Sequence, residues 1–220
     1  MRAFGLGLGA MRQMFSRKTA STSDPTVSSD TTLGYRSGDF WLNTATGNLW
    51  VARSVAAGAA VWGFVPRTWQ NGAAASLANP GNTNEAVLRT VSLAAGAMGT
   101  NGCLDFDAGF QGTNSGNSKT GRVRLGGVAG TIFSAIAQTS NFGWRQSGVI
   151  LNRGAANSQV GIVAATGTGG WAPIAANQDT GAVDTSAAVD LVFTGQLATG
   201  TETITLAWYR VTLTRPDIGA

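Results

Sequence analysis

The sequence predicts an all-β protein: a small N-terminal β meander, then a jelly-roll-like β-sandwich, with an extended peptide in front of both. Three observations predict this. Short apolar/polar runs recur along the chain between Gly, Asn, Ser and Thr clusters, and no long run carries a helical period. Charged residues make up only 12% against 43% hydrophobic, which suits a surface built from hydroxyl and amide groups. Glycine is abundant (31) and proline scarce (5), as expected of many short strands joined by turns. At 220 residues the chain can build one sizeable core plus a smaller module.

Residues 1–23, MRAFGLGLGAMRQMFSRKTASTS, cannot form a core. Phe4, Leu6 and Leu8 alternate with glycines, a period-two pattern for an extended peptide, and MRQMFSRK adds a helical turn or two. Arg2, Arg12, Arg17 and Lys18 stand here without an acid. Such a segment is ordered most simply by another protein, with Arg2, Phe4, Leu6, Leu8, Arg12, Phe15 and Arg17 as the anchoring residues. A tail packed back on its own domain is the alternative. The rest of the chain balances its basic residues against its 11 acidic ones, so no basic stripe for nucleic acid is expected. No run of apolar residues is long enough to span a membrane, and MRAFGLGLGAM lacks a signal-peptide cleavage site.

Residues 24–69 read as the meander. Asp24-Pro25 and Leu33-Gly34-Tyr35 open it, GDFWLN and NLWVAR form a hairpin through Thr44–Gly47, and AAVWGFV is the third strand. So few residues bury enough surface only with large side chains, which is a structural motive for Trp41, Trp50, Trp62 and Trp69. Alternation puts Trp41 and Asn43 on one face and Phe40 and Leu42 on the other; Leu49 and Val51 likewise oppose Trp50 and Ala52. With apolar groups on both faces, the tryptophans read as connector packing rather than a one-faced binding platform.

Residues 70–84, with NG and NPGN turn signals, read as a linker, and residues 85–216 as the sandwich, with eight short strands. An antiparallel hairpin around QGTNSGNSK would set Asp105 opposite Arg124 and Asp107 opposite Arg122, two cross-strand ion pairs.

Absences exclude much chemistry. With no histidine, Ser-His-Asp and Cys-His catalysis and histidine metal sites are ruled out. The single cysteine, Cys103, makes no internal disulfide and reads as a small buried apolar residue. GLGLG at 5–9 lacks the dinucleotide spacing, and GTNSGNSKT at 112–120 lacks the glycine that a phosphate loop needs directly before its lysine, so it reads as a flexible β loop. Asp105 and Asp107 could pair as glycosidase carboxylates, but their proposed arginine partners favour structure. Asp179, Asp184 and Asp190 lack a calcium-ligand spacing. Trp144, Arg145 and Trp171 lie in loop-like contexts as possible glycan contacts, with packing the alternative. No cofactor and no enzymatic activity are expected.

Two stretches carry a resemblance. DPTVSSDTTLGYRSGDFWLNTATGNLWVARSVAAGAAVW (24–62) resembles a module of bacteriophage virion proteins, with Asp-Pro, Gly-Tyr, Gly-Asp-x-Trp-x-Asn, Thr-Gly and a closing Ala-Ala-Val-Trp. EAVLRTVSLAAGAMGTNGCLDF, NSKTGRVRLGG, ILNRGAANSQVG and ETITLAWYRVTL are similar to a β-sandwich domain of phage fibre, spike and head-decoration proteins. The resemblance implies a virion structural protein on the particle surface. Its N-terminal segment would attach to capsid, portal or tail, its subunits would form a homo-oligomer (a trimer above all), and its sandwich would meet a host-surface glycan. A decoration or adaptor protein with a purely stabilising role is the alternative, and a polysaccharide depolymerase a lesser one.

Overall fold

The computed structural model describes residues 16–71, 75–78, 83–139, 143–163 and 178–220. The fold is all-β, as the alternation predicts, and divides into two units. One ends at Val65 and is completed by Pro216–Ala220; the other spans Pro66–Arg215.

In the first unit, β1 (Lys18–Ser21), β2 (Phe40–Asn43), β3 (Leu49–Ala56) and β4 (Ala59–Val65) form a sheet in that order. β1 runs parallel to β2, and the other pairs are antiparallel. Trp50 and Trp62 are fully buried on one face, with Tyr35 and Phe64. Tyr35, Trp41 and Trp62 meet ring to ring at 5.4–5.9 Å, and Trp50 stands edge-on to Phe64 at 5.1 Å. Each indole N–H must find an acceptor when the ring is buried, and the segment before β2 supplies all three. Trp41 donates to the Ser23 carbonyl (2.7 Å), Trp50 to Asp24 Oδ1 (3.1 Å) and Trp62 to the Ser29 carbonyl (3.0 Å). Trp50 and Trp62 are therefore in the core of their own unit, with the half-buried Trp41 packed against Trp62.

The motif residues acquire physical reasons here. Gly38 sits at φ 89°, where other residues are strained, and donates to the Ala52 carbonyl. Asp39 accepts from the backbone N–H groups of Arg17 and Arg36 (2.6 and 2.9 Å). Asn43 closes its turn by accepting from Ala45 and Thr46 while donating to Asp24. Asp30 caps a 3-10 turn at Thr31–Leu33 and accepts from Gly58 N–H across the unit. The backbone bond from Gly58, with those from Thr32, holds the Asp30 carboxyl below its ordinary pKa. Ile218 closes the unit by exchanging two backbone hydrogen bonds with Trp62 (3.0 Å each).

The second unit is a β-sandwich. Its strands are β5 (Arg67–Asn71), β6 (Ala75–Ala78), β7 (Ala86–Leu93), β8 (Cys103–Gly112), β9 (Lys119–Leu125), β10 (Thr131–Gln138), β11 (Gly143–Asn152), β12 (Gln159–Val163), β13 (Gln178–Gly181), β14 (Val189–Leu197) and β15 (Thr203–Thr214). A four-stranded sheet runs β10-β9-β14-β7, and a seven-stranded sheet runs β13-β12-β11-β8-β15-β5, with β6 also paired to β15. The core between them holds Leu104, Phe106, Phe110, Val123, Leu125, Phe133, Leu191, Phe193, Ile204 and Val211, all nearly inaccessible. Gly161 and Gly181 leave the room that the Phe133 ring occupies: a Cβ on either would lie under 3 Å from it.

Three expectations are corrected. First, β8 and β9 do not form a hairpin, because the connection after Gly112 carries the chain from one sheet to the other. The pairs Asp105–Arg124 and Asp107–Arg122 therefore do not form; Arg122 and Arg124 reach Glu85 instead (3.3 and 2.7 Å). That connection is clamped rather than loose. Lys119, with no exposed surface, lies 3.2 Å from Glu202 and donates to Ser115 and the Asn117 carbonyl. Second, the stretch 70–84 contains the end of β5 and all of β6, and Trp69 pairs with Val211 in the sandwich, outside the meander. Third, β1 makes residues 18–21 part of the meander sheet. Arg17 is bound there too, its guanidinium over Tyr35 (4.2 Å) and on the Leu33 carbonyl (2.8 Å). Of the anchoring residues, Arg2, Phe4, Leu6, Leu8, Arg12 and Phe15 lie outside the described residues.

Candidate functional site

The outer face of the seven-stranded sheet gathers the most chemistry. Strand pairing sets its three central strands in register. Trp208 of β15, Gly109 of β8 and Arg145 of β11 form one cross-strand row; Arg210, Asp107 and Ser147 form the next; Thr212, Asp105 and Val149 the third. Asp105, Asp107, Arg145, Ser147, Val149 and Arg210 line an open groove of about 330 Å³, at the small end of the roughly 300–1,000 Å³ usual for ligand sites.

Alternation explains this face only in part. In β11, Trp144 and Gln146 point inward, so Arg145 and Ser147 point outward. In β15, strict alternation would put Trp208 beside Ile204 and Leu206 in the core. The register with β8 shifts between Leu206 and Trp208, and this bulge turns Ala207 and Trp208 both outward. Trp208 is 37% exposed. Its pyrrole ring lies over Gly109, where a Cβ would stand 2.1 Å from Nε1, so the glycine makes the space in which the indole rests.

The charges are unequally satisfied. Arg145 holds Asp107 in a two-point fork, Nε to Oδ1 and Nη2 to Oδ2, both 2.6 Å. Those hydrogen bonds, and the Asp107 charge, raise the Arg145 pKa above its ordinary value. Arg210 approaches the same carboxylate only to 3.7 Å, beyond hydrogen-bond reach, with 59% of its side chain exposed. Asp105 points along its strand toward Cys103, whose Sγ lies 4.0 Å away. Partial burial, then the Asp105 charge, push the Cys103 thiol up to about 11, so at neutral pH it is an unreactive thiol. Cys103 is half-buried on this face, a correction to its reading as a buried core residue.

The other sequence candidates fall elsewhere. Trp144 is buried and stacked on Phe110 (centroids 5.6 Å, planes 9° apart), so it is a core residue and not a glycan contact. Trp171 lies outside the described residues. Asp179 sits on β13, where burial raises its pKa; Asp184 is held low by its hydrogen bonds from Ser186; Asp190 accepts from Ser92 at 2.7 Å. Among the described residues no three acidic or cysteine side chains gather into a metal-binding group. Sequence reasoning missed Trp208 and Arg210. The signal was a parity break in TITLAWYRVTLT: Ile204 and Leu206 share a parity with Arg210 and Thr212, which no regular strand with one buried face reconciles.

A second surface lies on the first unit. The sheet face opposite the tryptophans exposes Leu42, and with Phe40, Leu49 and Lys18–Ala20 it lines an apolar groove of about 480 Å³. The apolar pattern on both faces of the meander is thus present: one face is the unit's core, the other an open groove.

No family model and no curated protein matches the sequence. Among solved structures, a winged bean acidic lectin complexed with methyl-alpha-D-galactose is similar at 10% identity and a TM-score of 0.29, over 81% of this chain and 91% of that one. The infectious bursal disease virus VP2 subviral particle is similar at 13% identity and a TM-score of 0.20, over 69% of this chain and 42% of that one. At such scores neither passes a site or an activity to this chain. No described helix is long and apolar enough to cross a membrane.

Proposed function

We propose that the chain is a bacteriophage virion structural protein, a head or tail fibre or spike subunit. In this reading it is held to the particle through its N-terminal segment and presents the sandwich to a host-surface glycan. The observation that carries the glycan part is the outer face of the seven-stranded sheet, where Arg210, Arg145, Asp105, Asp107 and Ser147 line a groove beside the exposed indole of Trp208. Sugars are recognised by such a mixture: hydroxyls take bonds from fixed charged and polar groups, and apolar ring faces rest on aromatic ones. The virion part is supported by the Trp-rich module, whose motif residues each hold a structural place in the first unit. The apolar groove beside β1 suits a virion partner that also takes the N-terminal segment, and subunits of such appendages assemble as symmetric homo-oligomers, here a trimer. No catalytic role is assigned.

Two experiments test this. Deleting residues 2–15, which leaves Arg17 and β1 in place, should leave particles without the protein; full occupancy would remove the anchor. Trp208→Ala should abolish adsorption to host cells while particles assemble normally. Adsorption unchanged in that variant would favour the stabilising decoration protein instead.

A further inference from the structure

On the reading that the outer face binds glycans, we infer that its ligand is an acidic sugar, with the carboxylate on Arg210 and the sugar ring against Trp208. The unequal sharing of Asp107 points to this. One carboxylate faces two guanidinium groups, and Arg145 already occupies both of its oxygens at 2.6 Å. Among the described residues the Arg210 side chain makes no hydrogen bond, and its only ion pair is the 3.7 Å approach to Asp107. Its planar fork of donors is therefore open, and a sugar carboxylate fits such a fork with two parallel bonds.

The groove is also electrically divided. At the Trp208 end, Arg145 and Arg210 outnumber Asp107 by one positive charge. At the other end Asp105 is turned toward Cys103, away from Arg210 along the strand. An anionic group is drawn to the first end and repelled from the second, which fixes one orientation. Two residues along β15 from Arg210, Trp208 faces the same side, about 6.5–7 Å away at the backbone. Asp107, only 11% exposed, positions Arg145 and is not itself placed to meet the ligand.

The test uses the full chain against a panel of bacterial surface polysaccharides, each in its native and its carboxyl-reduced form. Wild type should bind only acidic members, and carboxyl reduction or Arg210→Gln should each weaken binding about tenfold or more. Trp208→Ala and Gly109→Ala should both weaken it, the second by displacing the indole without touching a charge. Binding should also fall as salt is raised. Equal binding to native and reduced forms, with Trp208→Ala still weakening it, would overturn the acidic ligand and leave the glycan reading standing. Binding to no member in either form would overturn both.

Discussion

Trp144 and Arg145 are neighbours in the chain and opposites in role. Successive positions of β11 send the indole into the core against Phe110 and the guanidinium out to Asp107. That division was legible: WRQSGVILN reads as one strand whose alternation separates the two, and a loop-like context for Trp144 and Arg145 overlooks it. Trp208 was not legible in the same way, because its direction depends on a bulge that only the pairing with β8 reveals. The substitutions follow. Trp144→Ala should cost about 3–5 kcal/mol in denaturant unfolding, as large aromatic deletions in cores do. Arg145→Ala, whose own side chain is 62% exposed but which leaves the mostly buried Asp107 without its fork, should cost less, about 1–2 kcal/mol. Comparable losses from the two would mean that the faces are assigned wrongly.

At the scale of elements, the charged residues of β9 were expected to serve β8, and they serve the chain just before β7 instead. Alternation correctly put Arg122 and Arg124 on one outward face, but strand order is a long-range property that local pattern does not encode. Their partner Glu85 also accepts from Thr194 on β14, so one carboxylate ties β9 and β14 to the chain just before β7. Burial alone would raise the Glu85 pKa; the hydrogen bonds from Arg124 and Thr194 and the charges of both arginines outweigh it and leave the value lowered. A carboxylate with a lowered folded pKa contributes stability that is fully present above its unfolded pKa and disappears as pH falls through the folded one. The stability gap between wild type and Glu85→Gln, followed by urea unfolding across acidic pH, should close in that window. A gap independent of pH would contradict the clasp. The buried Lys119–Glu202 pair behaves differently: Glu202→Gln leaves a lysine charge without its counterion and should lower the melting temperature far more than Arg53→Ala, which breaks the exposed Arg53–Asp217 pair.

At the scale of the molecule, the division into a Trp-rich meander and a sandwich was foreseeable from composition and turns, but its boundary was not. Residues 70–84 look like a linker because their alanines, asparagines and glycines carry little apolar signal, yet the end of β5 and all of β6 add to β15 through backbone hydrogen bonds that need no particular side chains. The return of Pro216–Ala220 to the first unit was equally hidden, since Ile218 joins Trp62 through main-chain groups alone. Residues 66–215 expressed alone should therefore melt cooperatively with their strand content intact. A chain ending at Arg215 should lose stability in the first unit only, read from hydrogen exchange at Trp62 and Ala60. The function proposed for the chain depends on where it sits in an assembled particle. An image of the intact virion at side-chain resolution should place the N-terminal segment against capsid, portal or tail, with symmetric copies whose Trp208–Arg210 faces look outward to solvent. Particles without the chain, or with those faces buried against the shell, would contradict it.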